Sequence, residues 1–222
     1  MKKRVLKIIL ISVMFFSITI GWCVHIQQVS SHPTVQKVIV IDAGHGGRDG
    51  GSVGEISVEK DLNLKYAKEL KRLLDGKVKV VLTREDDDGL YDEDVSNKKL
   101  SDMRARRDII DKARPDLMIS IHMNSYPTSK CVGSKTFYKI DSKSSEQAAK
   151  CIQNSLHYYI PNASKTTAKG DYYILNCSNY TSVLIECGFM SNPNEERLLN
   201  TKEYMQQFIY SVYCGIVMYL GI

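Results

Sequence analysis

Paired cysteines are missing from this 222-residue chain. It has six cysteines, but no two of them form a Cys-x-x-Cys pair, which argues against a structural zinc site made of thiolates. Cys23 lies in an apolar segment near the amino terminus, and the remaining cysteines are odd in number, which argues against a disulfide framework. We therefore expect most of these residues to be buried free thiols.

A strong excess of charge is also missing from most of the chain. The formal net charge is +5 at pH 7, but four basic residues precede the apolar segment, so the rest is nearly neutral. Because nucleic-acid binding needs a concentrated basic face, this composition argues against a nucleic-acid partner. Hydrophobic residues make up 43% and charged residues 25% of the chain, which is typical of a globular protein. One folded domain of about 190 residues is expected.

Residues 1–31 are predicted to be an N-terminal signal or membrane anchor. Basic residues at positions 2–4 are followed by an uncharged, mostly apolar run over residues 8–24. The run is longer than the core of a cleavable signal, about 7–15 residues, and shorter than a membrane-spanning helix of about 20. Cleavage and retention therefore both stay open, and a lipid on Cys23 fits poorly beside the bulky Trp22. In each case the protein is exported.

Strand-like and helix-like stretches alternate along the rest of the chain. Ser57 is expected to cap the first helix, and Gly76 to end it. Alternation of this kind predicts an α/β fold, a single three-layer domain with a mostly parallel central sheet and helices on both faces. The predicted strands cover residues 37–41, 77–82, 117–121, 133–138 and 182–185, and the predicted helices cover about residues 59–74, 100–112, 144–159 and 201–219.

Two loops lack the patterns of common binding motifs. In the glycine-rich segment 44–54, Asp49 stands where a dinucleotide fingerprint needs its third glycine, and no Gly-Lys-Ser/Thr follows for a phosphate loop. The acidic residues 85–88 lack the spacing of a calcium loop. We therefore expect residues 85–94 to form a solvated loop, and we expect no nucleotide site.

Four polar residues stand near the ends of predicted strands or at the start of a helix. His45, His122 and Glu186 follow strands, and Glu59 begins the helix after the glycine-rich segment. Since ligands bind beyond the carboxyl ends of parallel strands, these side chains are expected to converge. Two imidazoles and a carboxylate are ligands of an open catalytic zinc site. A second carboxylate beside the zinc-bound water would complete a site able to cleave an amide.

Each of these residues also has an ordinary structural explanation. A single histidine at a strand end is commonly just hydrogen bonded, and Glu59 suits the first turn of any helix. Glu186 is harder to explain, because a carboxylate after an apolar run is costly to bury without a partner. A Cys187 nucleophile with His122 or His157 fits the spacing, but it leaves the histidine in the glycine-rich segment without a role.

Five short motifs occur in order along the chain. They are IDAGHGG at residues 41–47, EKDLNL at 59–64, LTR at 82–84, SIHMN at 120–124 and VLIECGFMSNP at 183–193. Together they resemble the zinc-dependent N-acetylmuramoyl-L-alanine amidases of bacterial cell walls, over about residues 38–220. The resemblance implies that His45, Glu59 and His122 hold Zn²⁺ and that Glu186 is the catalytic acid–base residue.

The same resemblance implies a peptidoglycan substrate, cut at the amide between N-acetylmuramic acid and L-alanine. It also implies a sheet of six strands and assigns residues 36–222 to the zinc amidase catalytic domain. Ala43, Met123 and Cys187 replace residues that are common at these positions in the family, but none of these changes removes a ligand.

Within the family, the short layout without wall-binding repeats is most similar to the spore-cortex germination amidases of the CwlD type. That similarity implies modification of spore cortex leading to muramic-δ-lactam, and a location in the forespore envelope or cell wall. A vegetative autolysin and a catalytically silent peptidoglycan-binding module remain alternatives. Control by an accessory activator protein is a further hypothesis.

Overall fold

The computed structural model describes residues 36–222, so the predicted signal or anchor at residues 1–31 lies outside the described residues. In the described range, no helix combines the length and the apolar character needed to cross a bilayer.

Strands and helices alternate along the described chain. The strands are β1 (Val38–Ala43), β2 (Lys79–Leu82), β3 (Leu117–Asn124), β4 (Lys135–Lys139), β5 (Ala168–Gly170) and β6 (Ser182–Phe189). The helices are α1 (Glu59–Leu74), α2 (Lys98–Ala113), α3 (Lys143–Tyr159), α4 (Tyr173–Asn176), α5 (Pro193–Leu199) and α6 (Lys202–Leu220). The strands form one six-stranded sheet in the order β2-β1-β3-β6-β4-β5. The prediction of an α/β domain with a six-stranded sheet is confirmed.

The sheet is mostly parallel, as predicted. Strands β2, β1, β3 and β6 run in the same direction. Strand β4 runs antiparallel to β6, and β5 runs parallel to β4. The parallel strands therefore bring the ends of β1, β3 and β6 to one edge of the sheet.

Two local predictions are wrong. Helix α1 is preceded by Val58 rather than capped by Ser57, and the Ser57 hydroxyl instead donates to Glu196 Oε1 at 2.8 Å. Strands β3 and β6 also do not end before His122 and Glu186, because both residues lie within the strands and are paired in register. The short elements β5, α4 and α5 were not predicted, since segments of this length give little periodicity.

The two faces of the sheet have different coverings. Alternate residues such as Ile39, Ile119 and Ile185 belong to a large apolar cluster with residues of α1, α3 and α6, among them Leu156. The residues between them, Val40, Met118 and Leu184, belong to a smaller cluster with Ile110 of α2 and with Ile174 and Leu175 of α4. Helices therefore cover both faces, as a three-layer domain requires.

The smaller face changes character along the strands. After the apolar residues come Asp42 on β1, Ser120 and His122 on β3, and Glu186 on β6, at the alternate positions that continue the same face. The larger face stays apolar to the strand ends, with Ala43, Ile121, Met123 and Cys187 all buried. The polar residues thus gather at the carboxyl end of the smaller face.

Helices α3 and α6 approach each other closely at Gly215. A Cβ atom at this position would lie 2.5 Å from the Cα of Ile152 and 2.9 Å from the carbonyl oxygen of Cys151. The absence of a side chain at Gly215 is what allows the two backbones to meet. The five cysteines in the described range are all free thiols, as predicted, but only Cys187 is buried, so the expectation that most of them are buried is wrong.

Candidate metal centre and active site

Three of the predicted residues meet around one carboxylate oxygen. Nε2 of His45 lies 3.2 Å from Oε1 of Glu59, and Nδ1 of His122 lies 3.0 Å from the same oxygen. One donor atom of each residue lies within 4.8 Å of the other two. Although they are far apart in the chain, these residues form a compact group that could hold a metal ion.

The donor set fits zinc. A tetrahedral zinc ion with ordinary bond lengths holds neighbouring nitrogen and oxygen ligands about 3.3 Å apart, close to the separations seen here. Two glycines make room for the group. A Cβ at Gly44 would lie 2.3 Å from the His122 ring, and one at Gly51 would lie 2.5 Å from Oε2 of Glu59. The glycine-rich segment therefore lets the backbone come close to these side chains.

Glu59 is held in place through both of its oxygens. Oε1 accepts hydrogen bonds from the Met123 amide at 3.1 Å and from the Asn63 side chain at 3.3 Å, and Oε2 accepts one from the Ser52 amide at 2.8 Å. Burial raises the pKa of Glu59, but the hydrogen bonds with His122 and His45 outweigh it and hold the pKa well below its usual value. The carboxylate is therefore negatively charged and suited to bind a cation.

His45 has a strained backbone that a buried arginine supports. Its φ angle of 61° is in the left-handed region, which is uncommon for a residue with a side chain. The fully buried guanidinium of Arg106 donates to the carbonyl oxygens of His45 at 2.5 Å and Ala43 at 2.8 Å. Arg106 is in turn paired with Asp42 at 2.6 Å and Asp102 at 2.5 Å. This ion-pair network fixes the direction in which the chain leaves β1.

Polar side chains also lie beside the His45 ring and the backbone just before it. Nδ1 of His45 lies 3.0 Å from the Asp49 carboxylate, and Nε2 of the same ring lies 3.2 Å from Glu59. Arg84 is 3% exposed and donates to the carbonyl oxygens of Ala43 and Gly44, each at 3.0 Å. Two buried arginines thus bind three successive carbonyls, residues 43–45. Sequence reasoning assigned neither arginine a role.

Glu186 lies on β6, the strand next to the one that carries His122. It is paired in register with His122, is 9% exposed, and its Oε2 has no hydrogen-bond partner among the described residues. Burial raises the pKa of Glu186 to about 7, with a further raising effect of Glu59 and an opposing effect of His122. A carboxyl group that titrates near neutral pH can both accept and donate a proton.

Comparison with known proteins agrees with this geometry. A family model described as N-acetylmuramoyl-L-alanine amidase matches residues 39–218. The chain belongs to this amidase family. It is 36% identical over 195 residues to the germination-specific N-acetylmuramoyl-L-alanine amidase of Bacillus subtilis (strain 168), covering 85% of this chain and 82% of that relative.

Solved structures of amidases have the same fold. The CwlD amidase from Clostridioides difficile, in complex with the GerS lipoprotein, is 37% identical, with a TM-score of 0.79 over 83% of this chain and 98% of that chain. The catalytic domain of the amidase CwlV from Bacillus (Paenibacillus) polymyxa is 28% identical, with a TM-score of 0.75 over 84% of this chain and 99% of that chain. The protein is thus a peptidoglycan amidase similar to the germination-specific members.

The alternative nucleophile of this amidase is placed elsewhere. Cys187 is 1% exposed and belongs to the large apolar cluster, on the face of the sheet opposite Glu186. Burial raises the pKa of its thiol well above the usual value, so the reactive thiolate is disfavoured. Nδ1 of His157 lies 3.1 Å from the carbonyl oxygen of Ala163. The hypothesis of a cysteine–histidine pair is therefore wrong.

The amidase site opens on two sides. A cavity of about 470 Å³ extends from His45, His122 and Glu186 along helices α2 and α4. A second cavity of about 320 Å³ extends from the same residues toward Ser52 and Asn124. The two cavities therefore meet at His45, His122 and Glu186.

Proposed function

We propose that this amidase uses zinc to hydrolyse the bond between N-acetylmuramic acid and L-alanine in the peptidoglycan of the spore cortex. The observation that carries the proposal is the meeting of His45, His122 and Glu59 around one point, with Glu186 facing them from the adjacent strand. In this proposal Nε2 of His45, Oε1 of Glu59 and Nδ1 of His122 hold the ion. Zinc supplies Lewis acidity and a water of lowered pKa when it is bound.

Glu186 moves the proton in the proposed reaction. Its carboxylate accepts a proton from the attacking water, and the protonated carboxyl then donates it to the departing nitrogen of L-alanine. The amide C–N bond breaks, which leaves a lactyl carboxylate on the sugar and a free amino terminus on the peptide. The burial of Glu186 suits both steps, because it disfavours the charged form, and Oε2 has no hydrogen-bond partner among the described residues.

The cortex substrate is supported by the similarity to germination-specific relatives. Release of the stem peptide there would expose muramic acid to a deacetylase, which could then form muramic-δ-lactam. We further propose that residues 1–31 export or anchor the protein and that residues 36–222 form its catalytic domain. By analogy with the complex of CwlD and GerS, an accessory lipoprotein is the partner we expect.

The test compares the full-length wild-type chain with Glu186→Gln and His122→Ala. Purified spore cortex and vegetative peptidoglycan are supplied separately, and newly formed L-alanine amino termini and bound zinc are both measured. Because Glu186 carries the proton, we expect Glu186→Gln to lose about 100-fold to 10,000-fold in rate while it keeps one zinc ion. His122→Ala should lose the zinc as well.

Each part of the proposal has its own contrary result. Normal cleavage by Glu186→Gln would rule out the proton-transfer role. Equal wild-type rates on both substrates would contradict the cortex preference and favour a vegetative autolysin. Zinc-loaded wild-type protein that binds peptidoglycan and releases no alanine termini, with or without an accessory lipoprotein, would indicate a silent binding module.

A further inference from the structure

The two cavities beside the metal centre differ in the side chains that line them. The basic pocket, defined by Arg48, Tyr91, Lys98, Lys99, Tyr172 and Tyr173, is the outer part of the larger cavity. The neutral pocket, defined by Gly51, Ser52, Met123, Asn124 and Ser125, is the outer part of the smaller one, and neither lysine nor arginine lines that cavity. His45, His122 and Glu186 lie between the two pockets.

The basic pocket has cations that are free to bind a ligand. The side chains of Arg48 and Lys99 are 74% and 76% exposed, and each has one long ion pair, at 3.8 Å with Glu93 and at 3.7 Å with Asp49. The ammonium of Lys98 lies 5.1 Å from the centre of the Tyr91 ring and is paired closely with Glu93. Arg48 and Lys99 are therefore the cations that an anion from solution can reach.

Three of the four acidic residues that line the larger cavity already have partners, and the fourth, Glu186, belongs to the candidate active site. Asp42 and Asp102 are paired with the buried Arg106. Asp49 lies 3.0 Å from Nδ1 of His45 and accepts a hydrogen bond from the Gly51 amide at 3.1 Å. These contacts engage the charges of Asp42, Asp49 and Asp102. At the exposed rim three cations, Arg48, Lys98 and Lys99, outnumber the one carboxylate that pairs with them from outside the cavity lining, Glu93.

The two halves of the substrate differ in charge in the same way. A muramoyl glycan whose lactyl carboxyl is in an amide bond carries no charge, whereas the stem peptide carries free carboxylates. We propose that the basic pocket binds the stem peptide, with Arg48 and Lys99 contacting a carboxylate, and that the neutral pocket binds the sugar. The apolar side chains of Met103, Ile174 and Leu184 line the cavity between, where alanine methyl groups would pack. This inference rests on the proposed function.

The test uses two soluble muramoyl peptides that differ in one group, a free or an amidated carboxylate on the second residue of the stem. The double variant Arg48→Gln/Lys99→Gln is compared with Lys65→Gln, a change at an exposed lysine of α1 that lines neither cavity. Since exposed ion pairs are weak, we expect wild type to prefer the free carboxylate by about fivefold in KM, and the double variant to lose that preference. Lys65→Gln should keep it.

Salt and a binding measurement separate this inference from the proposed function. Higher salt should reduce the wild-type preference, because exposed charges are screened. The affinities of both peptides for Glu186→Gln protein give the same comparison without cleavage. Equal affinity of the Glu186→Gln protein for both peptides would overturn the assignment of the peptide to the basic pocket. A preference that persists in the triple variant Glu186→Gln/Arg48→Gln/Lys99→Gln would overturn it as well. Absence of cleavage by wild type would instead count against the proposed function.

Discussion

The large apolar face of the sheet and the carboxyl end of its smaller face are built from the same strands, but different forces hold them. On the large face, residues such as Ile41 and Ile119 are fully buried against helices. Their contribution to the free energy of folding depends on the apolar area that is buried rather than on the direction of the contacts. At the carboxyl end, buried charges and carbonyl groups are held by hydrogen bonds of Arg84 and Arg106. The first region supplies stability, and the second supplies orientation.

The difference matters because the two kinds of contact tolerate change differently. An apolar core keeps its fold when side chains are replaced by others of similar volume. A buried ion pair adds little net stability, but the loss of one partner leaves an uncompensated charge and is costly. Substitutions on the apolar face should therefore change stability alone, whereas those at the carboxyl end should also change metal binding.

Arg106→Met is expected to have the largest effect. It leaves Asp42 and Asp102 without their buried partner and frees the His45 carbonyl, so we expect a loss of about 3–5 kcal/mol in the free energy of unfolding. Zinc affinity should fall as well. Urea unfolding with a chelator and zinc titration measure the two effects. Arg107→Met is the control, because that side chain is 39% exposed and pairs with its neighbour Asp108. Equal losses of stability and zinc affinity in Arg106→Met and Arg107→Met would contradict the idea that buried ion pairs orient the carboxyl end of the smaller face.

Leu156→Ala removes a fully buried side chain from the large apolar face. A cavity of this kind costs about 2–5 kcal/mol, with no change expected in the zinc affinity of the folded protein. Leu198→Ala, at a position that is 47% exposed, should stay within about 0.5 kcal/mol of wild type. If Leu156→Ala weakened zinc binding as strongly as Arg106→Met, the two regions would not be separate.

Gly215→Ala tests the contact between α3 and α6. Replacing glycine by alanine in a helix normally stabilises it by about 1 kcal/mol. Here the new Cβ would meet the backbone of Ile152, so we expect the sign to reverse and the protein to lose about 1–3 kcal/mol. Thermal and urea unfolding measure the change, with Met218→Ala on the exposed side of the same helix as the control. A more stable Gly215→Ala protein would show that the helices move apart freely.

Lys37→Gln should have the smallest effect. Lys37 and Asp116 form an ion pair at 2.8 Å near the start of β1, but the two side chains are 44% and 32% exposed. Because water and salt screen such a pair, we expect the urea midpoint to be indistinguishable from that of wild type. Comparison at low and high salt is the control. A loss similar to that of Arg106→Met would mean that burial does not decide the worth of an ion pair in this protein.

The long elements of the fold could be predicted because their periodicity is strong. The start of α1 and the ends of β3 and β6 could not, because contacts across the chain decide them. Ser57 is drawn to Glu196 rather than to its own helix, and His122 and Glu186 continue strands through pairing with each other. The secondary-structure propensities of a single segment carry no information about either contact.

The convergence of four residues at the candidate site could be predicted, but the contacts that support them could not. The family resemblance pointed to His45, Glu59, His122 and Glu186, and the structure brings them together. Arg106 was missed because its partner Asp42 stands 64 positions away. One signal was present, since Asp42 falls on the same alternating face as Val40, and a buried acid in a strand needs a partner.

The register in which β3 pairs with β6 decides both the packing of the core and the positions of His122 and Glu186. Because successive side chains point to opposite faces, a slip of either strand by one residue would exchange His122 for Met123 or Glu186 for Cys187. The same slip would place an ionisable group in the large apolar cluster, which strongly disfavours it. Burial of the apolar face therefore selects the register that also brings His122 and Glu186 together on the opposite face.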